Sequence, residues 1–278
     1  MSNPDRPIVA FIGGGNMSSS IIGGLIKSGW PTEKIRVSDP VAEQRQKLIT
    51  QYSIYCFEEN GACVDGAEVV VLGVKPQMLK EAVASIADQL SEQTPLLVSI
   101  AAGIPSDSII SWIGRELPFI RVMPNTPALV NCGVSGLFAN SLTTKPQRQL
   151  AESLMHAVGE VIWVNDENLI DTVTGVSGSG PAYFFKMMEL MIAEGIANGL
   201  TPAAAKSLVI ETARGAASLI RSSSLEPAEL RHQVTSPGGT TEAGIRYMEQ
   251  AGIDDAIRGG VKAAILRSSE LSRQFGGN

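Results

Sequence analysis

Through the first half of the chain, short apolar runs alternate with longer segments whose apolar residues recur at helical spacing. Residues 8–12 (Ile-Val-Ala-Phe-Ile) run into a glycine turn at Gly13, and residues 17–27 then predict a helix that closes at Gly29. Residues 35–38, a polar helix over 41–51 and the run 68–74 repeat the unit. That last run is apolar almost without a break, as suits a strand covered on both faces. Residues 76–90, 96–100, 105–117 and 119–123 predict helix, strand, helix and strand. Strands alternating with helices of roughly 10–15 residues predict βαβ units with right-handed crossovers, hence a doubly wound, parallel α/β sheet.

The texture changes in the second half. After residues 161–164 only helical segments punctuated by Gly and Pro follow, which predicts an α/β domain over residues 1–165 and an all-helical domain over 166–278. Residues 182–197 carry Phe184, Phe185, Met188, Leu190 and Met191 and are apolar nearly all round, predicting a helix buried on most sides. Thr201-Pro202 reads as the N-cap and first-turn proline of the next helix, and residues 254–274 as an amphipathic last one.

Composition narrows the class. With 44% hydrophobic and 18% charged residues the chain of 278 is too apolar for disorder, and its length holds one large domain or two ordinary ones. A net charge of -6, from 22 basic and 28 acidic residues, argues against nucleic acid or an anionic membrane as partner. Cys56, Cys63 and Cys132 form an odd set without a C-x-x-C, the pattern of reduced thiols. Only His156 and His232 are present, which leaves little material for a metal site or a Ser-His-Asp triad, and no metal is expected. Residues 1–7 lack the charge and cleavage pattern of a secretory signal, and no apolar stretch approaches the ~18–20 residues that span a bilayer, so a cytoplasmic protein is expected.

The strongest local motif is Gly13-Gly14-Gly15-Asn16-Met17-Ser18, a G-x-G-x-x-S between a strand and a helix. Gly13 permits a tight turn and Gly15 the close approach of a pyrophosphate to the helix N-terminus; the alternative is a tight turn and nothing more. About twenty residues on stands Asp39, an acid suited to a ribose 2′-OH, or alternatively a cap beside Pro40. Its neighbours Ser38, Arg36 and Arg45 suit a phosphate if Asp39 turns away. The loops 73–76 and 99–103 follow strands of the sheet, where ligands of open α/β folds bind; Lys75 there is otherwise a solvated cation. Residues 121–127 (Arg-Val-Met-Pro-Asn-Thr-Pro) offer either polar groups to the cleft or a rigid turn capped by Asn125. In the helical half, residues 175–183 place glycines before Pro181 at a helix start, and residues 234–242 form a loop whose N–H groups suit either a carboxylate or a plain helix cap.

Together, residues 174–183, 234–243, 73–76, 98–103 and 121–128, with the Gly-Gly-Gly-Asn-Met opening, resemble the pyrroline-5-carboxylate reductases over about residues 8–271. The resemblance implies reduction of the cyclic imine 1-pyrroline-5-carboxylate to L-proline with NADPH or NADH. It implies an N-terminal Rossmann domain and a helical dimerisation domain, hence a homodimer at least and, in further assembly, a homodecamer. Residue by residue, it implies cofactor contacts at Ile12, Gly13, Gly14, Gly15, Asn16, Met17, Asn60, Val74, Lys75, Pro76, Ala101 and Ala102. Ser38, Asp39 and Asn125, from the strand ends above, complete the expected cofactor set. It places the substrate loop at 236–241, with Ser236, Gly238, Gly239, Thr240 and Thr241 as contacts. The Thr241 hydroxyl would approach the imine nitrogen, the Gly239 and Thr240 amides would take the carboxylate, and Glu167 would lie near the substrate.

Asp39-Pro40 departs from the neutral or basic residues with which the family receives the NADPH phosphate, and leaves the cofactor preference open. A protonated imine is already electrophilic, so hydride addition needs orientation and electrostatics more than a strong general acid, in keeping with a chain of two His. β-Hydroxyacid dehydrogenases are the nearest enzymatic rival, resembling Gly178-x-Gly180 and Lys186, but they carry an Asn four residues after their lysine where this chain has Leu190. A nucleotide-sensing protein without catalytic activity is a rival of another class.

Overall fold

In the computed structural model, which describes residues 6–92 and 94–276, the chain divides into two compact units, Met1–Ser179 with Ala263–Asn278, and Gly180–Lys262. The polar start 1–5 and residues 277–278, included in the expected domain ranges, lie outside the described residues.

The first unit is built on β1 (Val9–Ile12), α1 (Asn16–Lys27), β2 (Ile35–Ser38), α2 (Ala42–Tyr52), β3 (Tyr55–Phe57), α3 (Asn60–Val64), β4 (Val69–Leu72), α4 (Pro76–Ala84), α5 (Ala87–Glu92), β5 (Leu96–Ser99), α6 (Ser106–Ile113), β6 (Phe119–Met123), β7 (Gly133–Ala139), α7 (Lys145–His156), β8 (Gly159–Trp163) and α8 (Leu169–Val173). Its sheet has the order β3-β2-β1-β4-β5-β6-β7-β8. The first six strands are parallel, β7 runs antiparallel to β6, and β8 lies parallel to β7. Alternate residues of the central strands feed two cores: Val9, Phe11, Val69 and Val71 face one, Ala10, Ile12, Val70 and Leu72 the other. That two-sided burial is why these strands read as unbroken apolar runs.

β3 and β7 carry no such run. β3 is a three-residue edge strand, exposed or half-exposed throughout. β7 contains Gly133 and Gly136 because neighbours leave no room for a side chain: a Cβ at Gly136 would lie 2.6 Å from Val173 Cγ1, and one at Gly133 2.9 Å from the Ala128 nitrogen. Close approach thus dilutes the apolar pattern. The helix expected over 76–90 is two, α4 and α5, and the one expected over 105–117 stops at Ile113, where Gly114 takes a left-handed C-cap (φ +74°).

The units part at 179/180 and 262/263, whereas the sequence reading cuts at 165/166. Residues 166–179 belong with the sheet because α8 covers Gly136, a Cβ at Gly178 would lie 2.5 Å from Met123 Cε, and Asn125 Nδ2 donates to Ser177 O at 3.2 Å. Ser268 Oγ ties the end of the last helix to the same unit by donating to Asp171 Oδ1 at 2.7 Å.

The second unit holds α9 (Gly180–Ala197), α10 (Pro202–Ser222), α11 (Pro227–Gln233), α12 (Thr240–Gln250) and the start of α13 (Ile253–Gly276), with α9 and α10 in contact. Thr201 caps α10, its hydroxyl accepting from Ala204 N at 3.3 Å. The expected burial of α9 is not met within one chain: Phe184 is 61% and Phe185 62% exposed, and Leu190 and Met191 stand open beside them. An apolar helix with this much open surface requires a covering partner. No helix among the described residues is long and apolar enough to cross a membrane.

Candidate active site

β1 delivers the chain into a left-handed turn at Gly13 (φ +95°), whose amide donates to Ser38 O at 2.8 Å. A Cβ at Gly13 would lie 2.8 Å from Val74 Cγ1, and one at Gly14 2.6 Å from Leu48 Cδ1, so both positions are closed to larger residues. Gly15 differs: it is exposed, has an ordinary φ of -63°, and nothing lies within 4 Å of where its Cβ would be. It is also the N-cap of the twelve-residue α1, which has no side-chain cap. An open cradle beside uncapped N–H groups fits a diphosphate, which supplies both the acceptors and the negative charge the helix end lacks. Asn16 is exposed and Met17 half-buried at this mouth, while Ile12 is sealed in the core behind it. Ser18, in place of a third glycine, is fully buried against Gly73, whose missing side chain makes the room.

At the end of β2 the Asp39 carboxylate is held by two backbone amides, Gly14 N on Oδ2 and Val41 N on Oδ1, each at 2.9 Å. Gln44 Nε2 donates to Gly14 O from α2, a support with no counterpart in the motif spacing. Ser38 is fully buried and gives its hydroxyl to Asn60 Oδ1 at 2.7 Å; Asn60 Nδ2 in turn donates to Ser85 Oγ at 2.9 Å. Both expected cofactor side chains are therefore engaged in tying β2, α3 and α4 together. Val74, exposed Lys75 and Pro76 lead from β4 into α4, with Lys75 as N-cap. Ala101 is buried and Ala102 exposed on the loop after β5, which turns at Gly103 (φ +72°) where a Cβ would lie 3.2 Å from Leu271 Cβ.

Two expected contacts have other employment. Asn125 is buried, donating to Ser177 O at 3.2 Å and accepting from Val134 N at 3.0 Å, so it braces the end of the sheet. Glu167 Oε1 accepts from Ser106 N at 2.7 Å and from Arg121 Nη1 at 3.0 Å, while Oε2 accepts from the Ser106 hydroxyl. Its carboxylate caps α6 and neutralises a buried arginine. Neither Ser106 nor Arg121 stands out by spacing; the only signal is an arginine inside an otherwise apolar strand.

In the helical unit, residues 234–239 lead into α12, whose N-cap Gly239 supplies no side-chain cap. Gly238 (φ +71°) donates its amide to Glu242 Oε2 at 2.8 Å, and the Gly239 amide closes a turn on Ser236 O at 3.0 Å. Thr240 and Thr241 are exposed on the first turn. Glu242, which shapes this loop, is the residue that motif reading overlooks. Lys186 forms an exposed pair with Glu189 at 3.1 Å. Among the thiols, Cys63 is sealed in the core and burial pushes it up to about 12; Cys56 is also raised, chiefly by burial, and Cys132 is exposed.

Sheet order, glycine turn and acid at the second strand end define a nicotinamide-dinucleotide-binding protein of the doubly wound α/β class. Residues 8–103 match the family described as NADP oxidoreductase, coenzyme F420-dependent, and residues 167–271 match pyrroline-5-carboxylate reductase dimerisation. The chain is 48% identical over 270 residues to the pyrroline-5-carboxylate reductase of Pseudomonas aeruginosa, covering 97% of this chain and 98% of that one. The solved reductase of Coxiella burnetii superposes with a TM-score of 0.92 at 38% identity, over 96% of this chain and 99% of the other. That of Plasmodium falciparum, solved with NADP bound, gives 0.87 at 25% identity, over 97% and 100%. The chain belongs to the pyrroline-5-carboxylate reductase family. It is an NAD(P)-dependent oxidoreductase.

Proposed function

We propose that this chain reduces 1-pyrroline-5-carboxylate to L-proline with NAD(P)H, the last step of proline biosynthesis. The family supports the substrate, and the single observation that carries the cofactor half is the open cradle at Gly15 before the uncapped start of α1. When bound, the reduced nicotinamide supplies hydride to an electrophilic carbon.

The chain's own residues bind and orient. Residues 13–17 and the start of α1 hold the diphosphate, and the loops at Val74, Lys75, Pro76, Ala101 and Ala102 border the same strand ends. Amides at the start of α12 take the substrate carboxylate, with Ser236, Gly238 and Thr240 shaping the loop and the Thr241 hydroxyl directed to the imine nitrogen. The protonated imine gains two electrons and one hydrogen at C5, and its N–H proton stays on the product amine. No side chain has to surrender a proton, so the reaction as written requires no paired acid and base.

The open apolar faces of α9 and α10 support a homodimer at least; assembly of such dimers to a homodecamer and a cytoplasmic location are proposed with it. An obligate interface of this kind buries more than about 2,000 Å² in total.

The experiment is loss of nicotinamide absorbance when pyrroline-5-carboxylate is added to enzyme and reduced cofactor. Proline formed one-for-one supports the reading; cofactor binding without oxidation leaves a nucleotide sensor in its place.

A further inference from the structure

We propose that Asp39 makes this enzyme select NADH over NADPH. The inference rests on the dinucleotide reading above and goes beyond it by naming which dinucleotide the site takes.

An acid after β2 is compatible with a 2′-phosphate only if its carboxylate swings aside and a cation takes its place. Here the carboxylate is fixed from two sides, by Gly14 N and Val41 N at 2.9 Å each, and it is followed by Pro40, whose ring restricts the backbone. One donor on each oxygen leaves lone pairs on both, enough to accept a ribose hydroxyl. A phosphate dianion would have to approach this fixed carboxylate.

The neighbouring cations are committed elsewhere. Arg45 Nη1 donates to Asp39 O at 2.7 Å and Pro40 O at 3.0 Å, and its Nη2 pairs with Glu58 at 3.0 Å. Arg36 Nη1 donates to Asp65 O at 2.6 Å. The Ser38 hydroxyl, a second natural phosphate donor, is buried and given to Asn60. A 2′-phosphate would therefore meet two carboxylates, Asp39 and Glu58, and one arginine that already serves both the Asp39 carbonyl and Glu58. A 2′-hydroxyl meets a fixed acceptor.

The test is calorimetric binding of NADH and NADPH to the wild-type enzyme, and of two fragments, 5′-AMP and adenosine 2′,5′-bisphosphate, which report on the adenosine end alone. NADH is expected to bind at least about tenfold more tightly than NADPH, with the fragments in the same order. In Asp39→Asn, which keeps an acceptor and loses the charge, the ratio should fall to within about threefold, mainly because NADPH binds better. Equal or tighter binding of NADPH to the wild type overturns the proposal, as does an unchanged ratio in folded Asp39→Asn. If that variant fails to fold, the wild-type ratios still decide. Failure of both dinucleotides to bind would overturn the cofactor reading itself, an outcome distinct from loss of selectivity.

Discussion

Glu167 and Arg121 form a 3.0 Å ion pair in which the arginine is only 3% exposed, and the same Glu167 oxygen accepts the first amide of α6 from Ser106. One carboxylate thus joins β6, the turn that leads into α8 and the helix that follows the Ala101–Ala102 loop. Asp171 stands on the other side of the guanidinium at 3.9 Å and receives Ser268 from the last helix. Removing Glu167 leaves a buried cation with only the more distant Asp171 for a partner, and a helix start without its acceptor. Glu167→Ala should lose about 2–4 kcal/mol of stability, and Glu167→Gln, which keeps one acceptor, about 1–2. Urea denaturation measures both; a loss below roughly 0.5 kcal/mol in Glu167→Ala, the level of a neutral surface change, would remove the bracing role.

The two outer glycines of the turn should fail differently. Gly15→Val is expected to fold with an unchanged melting temperature, since nothing crowds its side chain, and to lose cofactor affinity by about tenfold or more because the new side chain fills the cradle. Gly13→Val meets a left-handed backbone and Val74, and should cost about 1–3 kcal/mol of stability. Calorimetry with NADH and thermal melts on both variants separate the ligand's space from the backbone's.

Thr241→Val tests the substrate loop. No side chain caps α12, so stability should change by less than about 0.5 kcal/mol. If the hydroxyl orients the imine nitrogen, kcat/KM should fall by about 1.5–4 kcal/mol of transition-state stabilisation, roughly tenfold to several hundredfold, with cofactor affinity intact. A destabilised but fully active variant would assign the residue to the helix instead.

The thiols should rank by burial, with Cys132 modified first by a thiol reagent and Cys63 only on unfolding. Cys63 is held protonated in the fold up to about 12 but ionises near 9.0 when exposed. Its contribution to stability is therefore complete below pH 9 and lost as pH rises toward 12. Urea midpoints of wild type and Cys63→Ala across that range should converge as pH rises.

The first half of the fold is legible because buried parallel strands write continuous apolar runs and the glycine turn has a backbone requirement at Gly13. β7 is hidden because contacts with Val173 and Ala128 demand glycine where an apolar residue would announce a strand. The same logic misleads at α9: a helix apolar all round is legible as needing cover, but the pattern does not say whether the cover lies in the same chain, and here Phe184 and Phe185 are open. At the site, turn and loops follow from spacing, whereas the bonds of Asn125 and Glu167 depend on partners as far as 61 residues away in sequence, at Ser106. Motif matching finds such residues and cannot tell a ligand contact from a brace.

The most direct test of the proposed reaction follows the transferred hydrogen itself. The enzyme is supplied with pyrroline-5-carboxylate and reduced nicotinamide cofactor deuterated at C4 on one face or the other, and the product is examined by NMR. Proline carrying one deuterium at C5 from one of the two labelled cofactors, and none from the other, is the predicted result. Oxidation of the cofactor without deuterium at C5, or unchanged pyrroline-5-carboxylate beside bound cofactor, would contradict it.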